Sequence, residues 1–246
     1  MAKIVNCTEY LKNKLYKIYK KTLAFTLAEI LVVIGIIGIV AALTLPNLNQ
    51  STGNKEKIVK VKKIYQNLNH AMGRAQVVYG LSTSCCSPRA TFERLTNYMK
   101  LSKNCGNSNY ITQCMANQAK YGSGNSSVKL YGDGTDSYSA VLADGSAIRI
   151  AYGFGGIGNI VIHVDIDGNN KGTDTLGKDI FTFVVSSSTG DITPFGMYDS
   201  SCPANTAFCT SWVIENNNMD YLKVDSNGKC PDGKTILNWT TNTSCK

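Results

Sequence analysis

The chain has 246 residues, 43% hydrophobic and 17% charged, with nine Cys, two His and a formal net charge of +8. That balance excludes a disordered charged tail, and two histidines leave little room for a His-rich metal centre. The length allows one ordinary domain plus an extra segment.

The charge is concentrated at the start. Lys3, Lys12, Lys14, Lys17, Lys20 and Lys21 stand against Glu9, so most of the excess precedes an apolar run. Lysines in that position mark the end of a span that stays in the cytoplasm. Specific nucleic acid binding is therefore not predicted. Leu11, Leu15 and Ile18 recur at helical spacing among these lysines, so the leader can also form an amphipathic helix.

Phe25 to Leu45 reads FTLAEILVVIGIIGIVAALTL, with Glu29 as its one charge. A span needs roughly 20 apolar residues to cross about 30 Å of hydrocarbon. A core helix of this length would show a polar face, and this run has none. The competing pattern is a secretory signal, with Ala41-Ala42 imitating its cleavage site, but its apolar part runs only to roughly 7–15 residues. Glu29 also argues against it, because an unpartnered carboxylate inside a span costs on the order of 2.5–3.5 kcal/mol. A cut between Ala24 and Phe25 would place a new α-amino group one helical turn from Glu29. In a helical assembly, Glu29 of one subunit would meet the Phe25 amine of its neighbour, and the desolvated pair would reward correct register. The helix dipole favours an acid in the first turn as well. On this reading a monomeric anchor has no use for Glu29, whereas an assembling helix does.

The stretch Lys20-Lys21-Thr22-Leu23-Ala24-Phe25-Thr26-Leu27-Ala28-Glu29 resembles the class III signal of type IV pilins and type II secretion pseudopilins. The resemblance is close over about residues 20 to 50. It implies that a prepilin peptidase cuts between Ala24 and Phe25, N-methylates Phe25, and that Glu29 serves assembly. Ala24 stands where the family usually has Gly, and a small side chain is expected to be cut as well. Gly38 and Pro46 fall where family members loosen the helix during assembly. The implied partners are other pilin or pseudopilin subunits, the peptidase, an inner-membrane assembly platform and the lipid bilayer. The implied location is the bacterial inner membrane, with the N-terminus cytoplasmic and the head outside, and then a filament.

Beyond the run, Ile58, Val61, Tyr65, Leu68, Met72, Ala75 and Tyr79 alternate at spacings of three and four, which predicts an amphipathic helix. Lys55, Lys57, Lys60, Lys62 and Lys63 fall on or near its polar side. Pro46 and Ser51-Thr52-Gly53-Asn54 are expected to kink or interrupt it. Three regions follow: a removed leader over 1–24, a long helix over 25–80 with its span at 25–45, and a head over 81–246. A short helix is expected near Ala90–Leu101. Four strands are expected at Tyr138–Leu142, Ala147–Tyr152, Ile160–Ile166 and Ile180–Val185, the first two joined by the Asp144-Gly145 turn. The fold class is α+β, an antiparallel sheet over about 138–185 laid on the helix. The pilin-like fold implied by the resemblance has the same arrangement.

Cys7 falls in the leader. The other eight, Cys85, Cys86, Cys105, Cys114, Cys202, Cys209, Cys230 and Cys245, lie beyond the span, where up to four disulfides are expected. Proximity suggests Cys202–Cys209 and Cys230–Cys245, with the other four pairing among themselves. Zinc is the competing reading, but there is no Cys-x-x-Cys pair.

Asp165, Asp167 and Asn169 place oxygen ligands at alternate positions, as in a calcium loop, and Asp174 and Asp179 follow. The EF-hand pattern then fails, with Asn170 at the glycine position and Leu176 at the glutamate position. Some pseudopilins hold calcium in a loop of the C-terminal half, so the resemblance adds to the calcium reading. The alternative is a turn whose side chains bond to their own backbone. No other cofactor is expected. Gly153-Phe-Gly155-Gly-Ile-Gly158 matches a nucleotide-loop spacing, but a strand pattern rather than a helix follows it, so a plain inter-strand loop is expected. No nucleophile motif is legible and no enzyme is predicted. The competing function is a single-pass, membrane-anchored extracytoplasmic binding or adhesion module that does not polymerise.

Overall fold

The computed structural model describes residues 26–80, 87–107, 113–122, 126–130, 136–153, 160–169, 171–186, 188–197 and 199–245, with backbone alone for 41–52. Ala24, Phe25, Cys7, Cys85 and Cys86 lie outside the described residues. The chain divides into two compact units, Met1–Ser51 and Thr52–Lys246. Helix α1, Leu27–Tyr79, contributes to both, and each is taken by itself. The backbone remains helical through Pro46 and through Ser51 to Asn54, so neither stretch ends the helix.

The second unit is α+β. Ile58, Val61, Ile64, Leu68, Ala71, Met72 and Ala75 of α1 are buried. The three-four spacing had omitted Ile64 and Ala71 and had included Tyr79, which is exposed under the Arg94 guanidinium, 5.3 Å from its ring centre. A helix lying on a sheet buries a wider stripe than the seam of a coiled coil.

That sheet has six antiparallel strands in the order β1-β4-β5-β6-β7-β8. They are β1 Leu101–Asn107, β4 Tyr138–Leu142, β5 Ala147–Tyr152, β6 Ile160–Asp165, β7 Ile180–Val185 and β8 Ile192–Pro194. A separate hairpin pairs β2, Gln118–Lys120, with β3, Ser127–Lys129. The four central strands fall where alternation and turn chemistry placed them. Asp144 accepts from the Ser146 amide at 3.1 Å, and Gly145 takes the positive φ that the β4–β5 turn requires. The two edge strands were not expected. β1 begins at Leu101, which had been placed in a helix; that helix, α2, is Pro88–Thr96, started by Ser87, whose hydroxyl accepts from the Ala90 amide at 3.1 Å.

One face of the sheet meets α1. Ile148, Ile150, Ile162, Val164, Phe181 and Phe183 share a core with the helix stripe. Tyr65 of α1 stacks on Phe183, with ring centres 5.5 Å apart. Gln76 Nε2 donates to the Thr189 carbonyl at 3.0 Å. The other face is also covered: Ala147 and Ile180 join Met115, Ala119, Leu130, Leu176 and Ala207 in a second cluster. Burial on both faces explains why the central strands read as near-continuous apolar runs.

The C-terminal part packs around α3, Thr210–Asn216. Trp212 is fully buried, meets Trp239 edge-on at 4.8 Å and donates to Asn218 Oδ1 at 3.1 Å. Disulfides join Cys202 to Cys209 and Cys230 to Cys245, as proximity suggested, and Cys105 to Cys114. The Cys230–Cys245 bridge closes a separation of 15 residues. Replacing both partners by Ala is expected to cost about 3 kcal/mol through the unfolded state. Urea unfolding measures it, and a loss under about 1 kcal/mol contradicts the expectation.

Candidate functional site

The start of α1 is built from Thr26 and Glu29. The Thr26 amide and hydroxyl both donate to Glu29 Oε2, at 2.8 and 2.9 Å, and the Glu29 amide donates to Thr26 Oγ1 at 3.2 Å. This is a reciprocal capping box, which satisfies amides that a helix start leaves without partners. It corrects the reading that Glu29 is useless outside an assembly, because the residue has work within a single helix. The Thr-x-x-Glu pattern carries that signal in the sequence.

From Leu27 to Val40 every residue is exposed, including Gly35 and Gly38 and nine large aliphatic residues from Ile30 onward. No face of this stretch is polar after Glu29. Among the described residues no helix is long and apolar enough to cross a membrane. The run expected to span continues to Leu45, and the side chains beyond Val40 lie outside the described ones.

The aspartate loop between β6 and β7 is partly a self-bonded turn. Asp165 Oδ1 accepts from the Asp167 and Gly168 amides at 3.3 and 3.0 Å. Asp179 is fully occupied: Oδ2 accepts from the Thr173 amide and hydroxyl at 2.7 and 2.9 Å, and Oδ1 from the Thr175 amide at 2.5 Å. Gly172 sits between Asp167 and Asp179, so that any side chain there would strike both carboxylates.

Three carboxylate oxygens remain. Asp165 Oδ2, Asp167 Oδ1 and Asp174 Oδ1 are buried without a hydrogen-bond partner among the described residues. Burial, with the Asp167 charge adding to it, pushes Asp165 up to about 8. Burial and the charges of Asp179 and Asp167 also raise Asp174. Among the described residues no group of three His, Cys, Asp or Glu side chains could hold a metal ion as they stand. The oxygen chemistry suits a hard cation, but the arrangement completes no coordination sphere, and Asp179 is better read as organising the turn than as a ligand.

Calcium separates the two ways of neutralising this loop. If a cation binds, calcium at about a hundredfold over Kd adds about 2.7 kcal/mol. Cation binding requires a Tm higher by roughly 5–10 °C after EDTA-treated protein is given calcium, with Asp167→Asn removing most of the gain. An unchanged Tm contradicts cation binding and leaves protonation of Asp165 as the way the loop is neutralised.

A polar row crosses the sheet face that looks away from α1. Arg149 pairs in register with His163, and His163 with Thr182. All three are buried. The Arg149 guanidinium donates to the Met115 carbonyl and to Asn117 Oδ1, both at 2.9 Å, and His163 Nδ1 lies 3.0 Å from Thr182 Oγ1. Burial, with the Arg149 charge adding to it, pushes His163 down to about 3, so its imidazole is neutral at neutral pH. Beside this row is a cavity of about 300 Å³ lined mainly by Val161, Val184, Leu176, Phe195 and Phe208. The glycine-rich match at 153–158 leads into β6, a strand, and its residues from 154 on lie outside the described ones. No protein-family model, curated protein or solved structure matches the chain.

Proposed function

We propose that this chain is a structural subunit of a pilus or of a type II secretion pseudopilus. Prepilin peptidase removes the leader before Phe25 and methylates the new terminus. The apolar half of the helix first lies in the inner membrane and then forms the filament core, and the head forms the outer surface. The observation that carries this reading is the helix from Leu27 to Val40, apolar on every side, exposed throughout, and opened by a single carboxylate. Such a helix needs lipid or other helices around it. The α+β head supports a pilin-like fold, because the later part of α1 is amphipathic and packs on an antiparallel sheet.

A second reading is favoured by one observation. The Thr26–Glu29 capping box gives the carboxylate a role in a lone helix, as an anchored binding or adhesion module would use it. Shearing cells and pelleting filaments distinguishes the two. The expected result is the subunit in the filament fraction, absent from that fraction in a strain lacking prepilin peptidase. A subunit found only as a monomer in the membrane fraction supports the anchored module instead.

A further inference from the structure

Helix α1 carries a second feature that the filament reading does not use. Lys63, Asn67, His70 and Arg74 follow at spacings of four, three and four, which sets them along one face. Opposite them stand Tyr98 to Lys100, just after α2, and Leu142 to Asp144 at the β4–β5 turn. Together these residues enclose a cleft of about 330 Å³. Its floor is apolar, with Ala71 and Leu142 buried.

The rim has one dominant sign. Lys63, Arg74 and Lys100 are all exposed. Ion pairs among the described residues join Lys60 to Glu56, Arg89 to Glu93 and Lys223 to Asp220, so Lys63, Arg74 and Lys100 have no acidic partner there. Asp144 is the one acid among the lining residues, and its Oδ1 is taken by the Ser146 amide and hydroxyl, at 3.1 and 2.5 Å.

We propose that this cleft docks an acidic peptide segment of a partner protein. Cations of one sign in a cleft with apolar walls focus the field and draw in opposite charge. From Lys63 to Arg74 the helix advances about 16 Å. That matches about five residues of extended chain, rather than one small anion. The apolar floor suits the methylene groups of glutamate. Nucleic acid fits less well, since Tyr98 is the one aromatic lining residue and is half-buried, which offers no platform for successive bases. The inference does not depend on whether the chain polymerises.

The test is fluorescence anisotropy with a labelled penta-glutamate peptide and the full chain in neutral detergent. Binding is expected at low salt and should weaken as salt is raised. Lys63→Glu with Arg74→Glu should lower affinity at least tenfold, and Lys100→Gln, on a different element, should weaken it severalfold. Lys60→Glu lies on the same helix outside the cleft and should change affinity by less than twofold. Thermal melts check that each variant is folded. Three results overturn the proposal: no binding by the wild-type chain, an equal loss in Lys60→Glu, or a short DNA duplex that binds the cleft more tightly than the peptide.

Discussion

Glu29→Gln is expected to be processed normally and to be excluded from filaments, with sheared-filament yield falling to a small fraction of wild type. The capping box makes this substitution informative. A glutamine at the same helical position still accepts from the Thr26 amide, so the helix start is kept. What it loses is the charge, and with it the proposed pairing with the Phe25 amine of a neighbouring subunit. Removing one partner of a buried pair costs about 3–5 kcal/mol, more than a hundredfold in an assembly equilibrium. Glu29→Ala should be at least as defective, because it also loses the cap, worth about 0.5–2 kcal/mol at such positions. If Glu29→Gln assembles like wild type and only Glu29→Ala fails, the carboxylate acts as a helix cap and the pairing argument is wrong.

Phe183→Ala should be severely damaging to the head. Phe183 is fully buried on the sheet face toward α1 and stacks on Tyr65, with the ring planes 8° apart. Deleting a buried phenyl costs about 3–5 kcal/mol through lost burial and the cavity left behind. In a unit of this size that lowers Tm by roughly 6–20 °C. The partner substitution, Tyr65→Ala, should be less severe, since Tyr65 is half-buried and its hydroxyl reaches the Ile192 carbonyl at only 3.4 Å. The double variant should fall short of additivity by about 0.5–1.5 kcal/mol, the worth of the ring pair beyond its area. A loss under about 1 kcal/mol for Phe183→Ala would mean that the helix is not held to the sheet through this contact.

The parts of the fold legible in the sequence are those in which one physical signal dominates. The central strands announce themselves by apolar runs between Asp, Gly and Asn turns, and α1 by its three-four spacing. β1 carries no such signal. Its residues Ser102, Lys103 and Asn104 are exposed, and its register against β4 slips twice, so the strand exists because β4 offers it an edge. The two cysteine pairs close in sequence were legible. Cys105–Cys114 was not singled out, because four candidates lay between 85 and 114.

At the candidate sites the pattern is similar. The capping partner Thr26 is visible in the Thr-x-x-Glu motif, which is compatible with both a helix cap and an intersubunit role for Glu29. Asp179 looked like one more ligand in the chain of acids, whereas its three hydrogen bonds to Thr173 and Thr175 consume it. The basic cleft could not be read at all, since Lys100 and the Leu142–Asp144 turn reach Lys63 and Arg74 only through the fold. The buried Arg149 is of the same kind: its strand pattern is apolar, and only the segment around Met115 and Asn117 supplies the acceptors that allow it there.

The intact mass of the native protein from its own cells, taken without reductant, bears most directly on the subunit reading. The predicted chain starts at Phe25, is one methyl group heavier than its sequence, and keeps Cys105, Cys114, Cys202, Cys209, Cys230 and Cys245 in disulfides. A chain that retains residues 1–24 would contradict processing and assembly together and leave a static anchor. Cleavage near Ala42 would contradict the membrane-embedded helix itself.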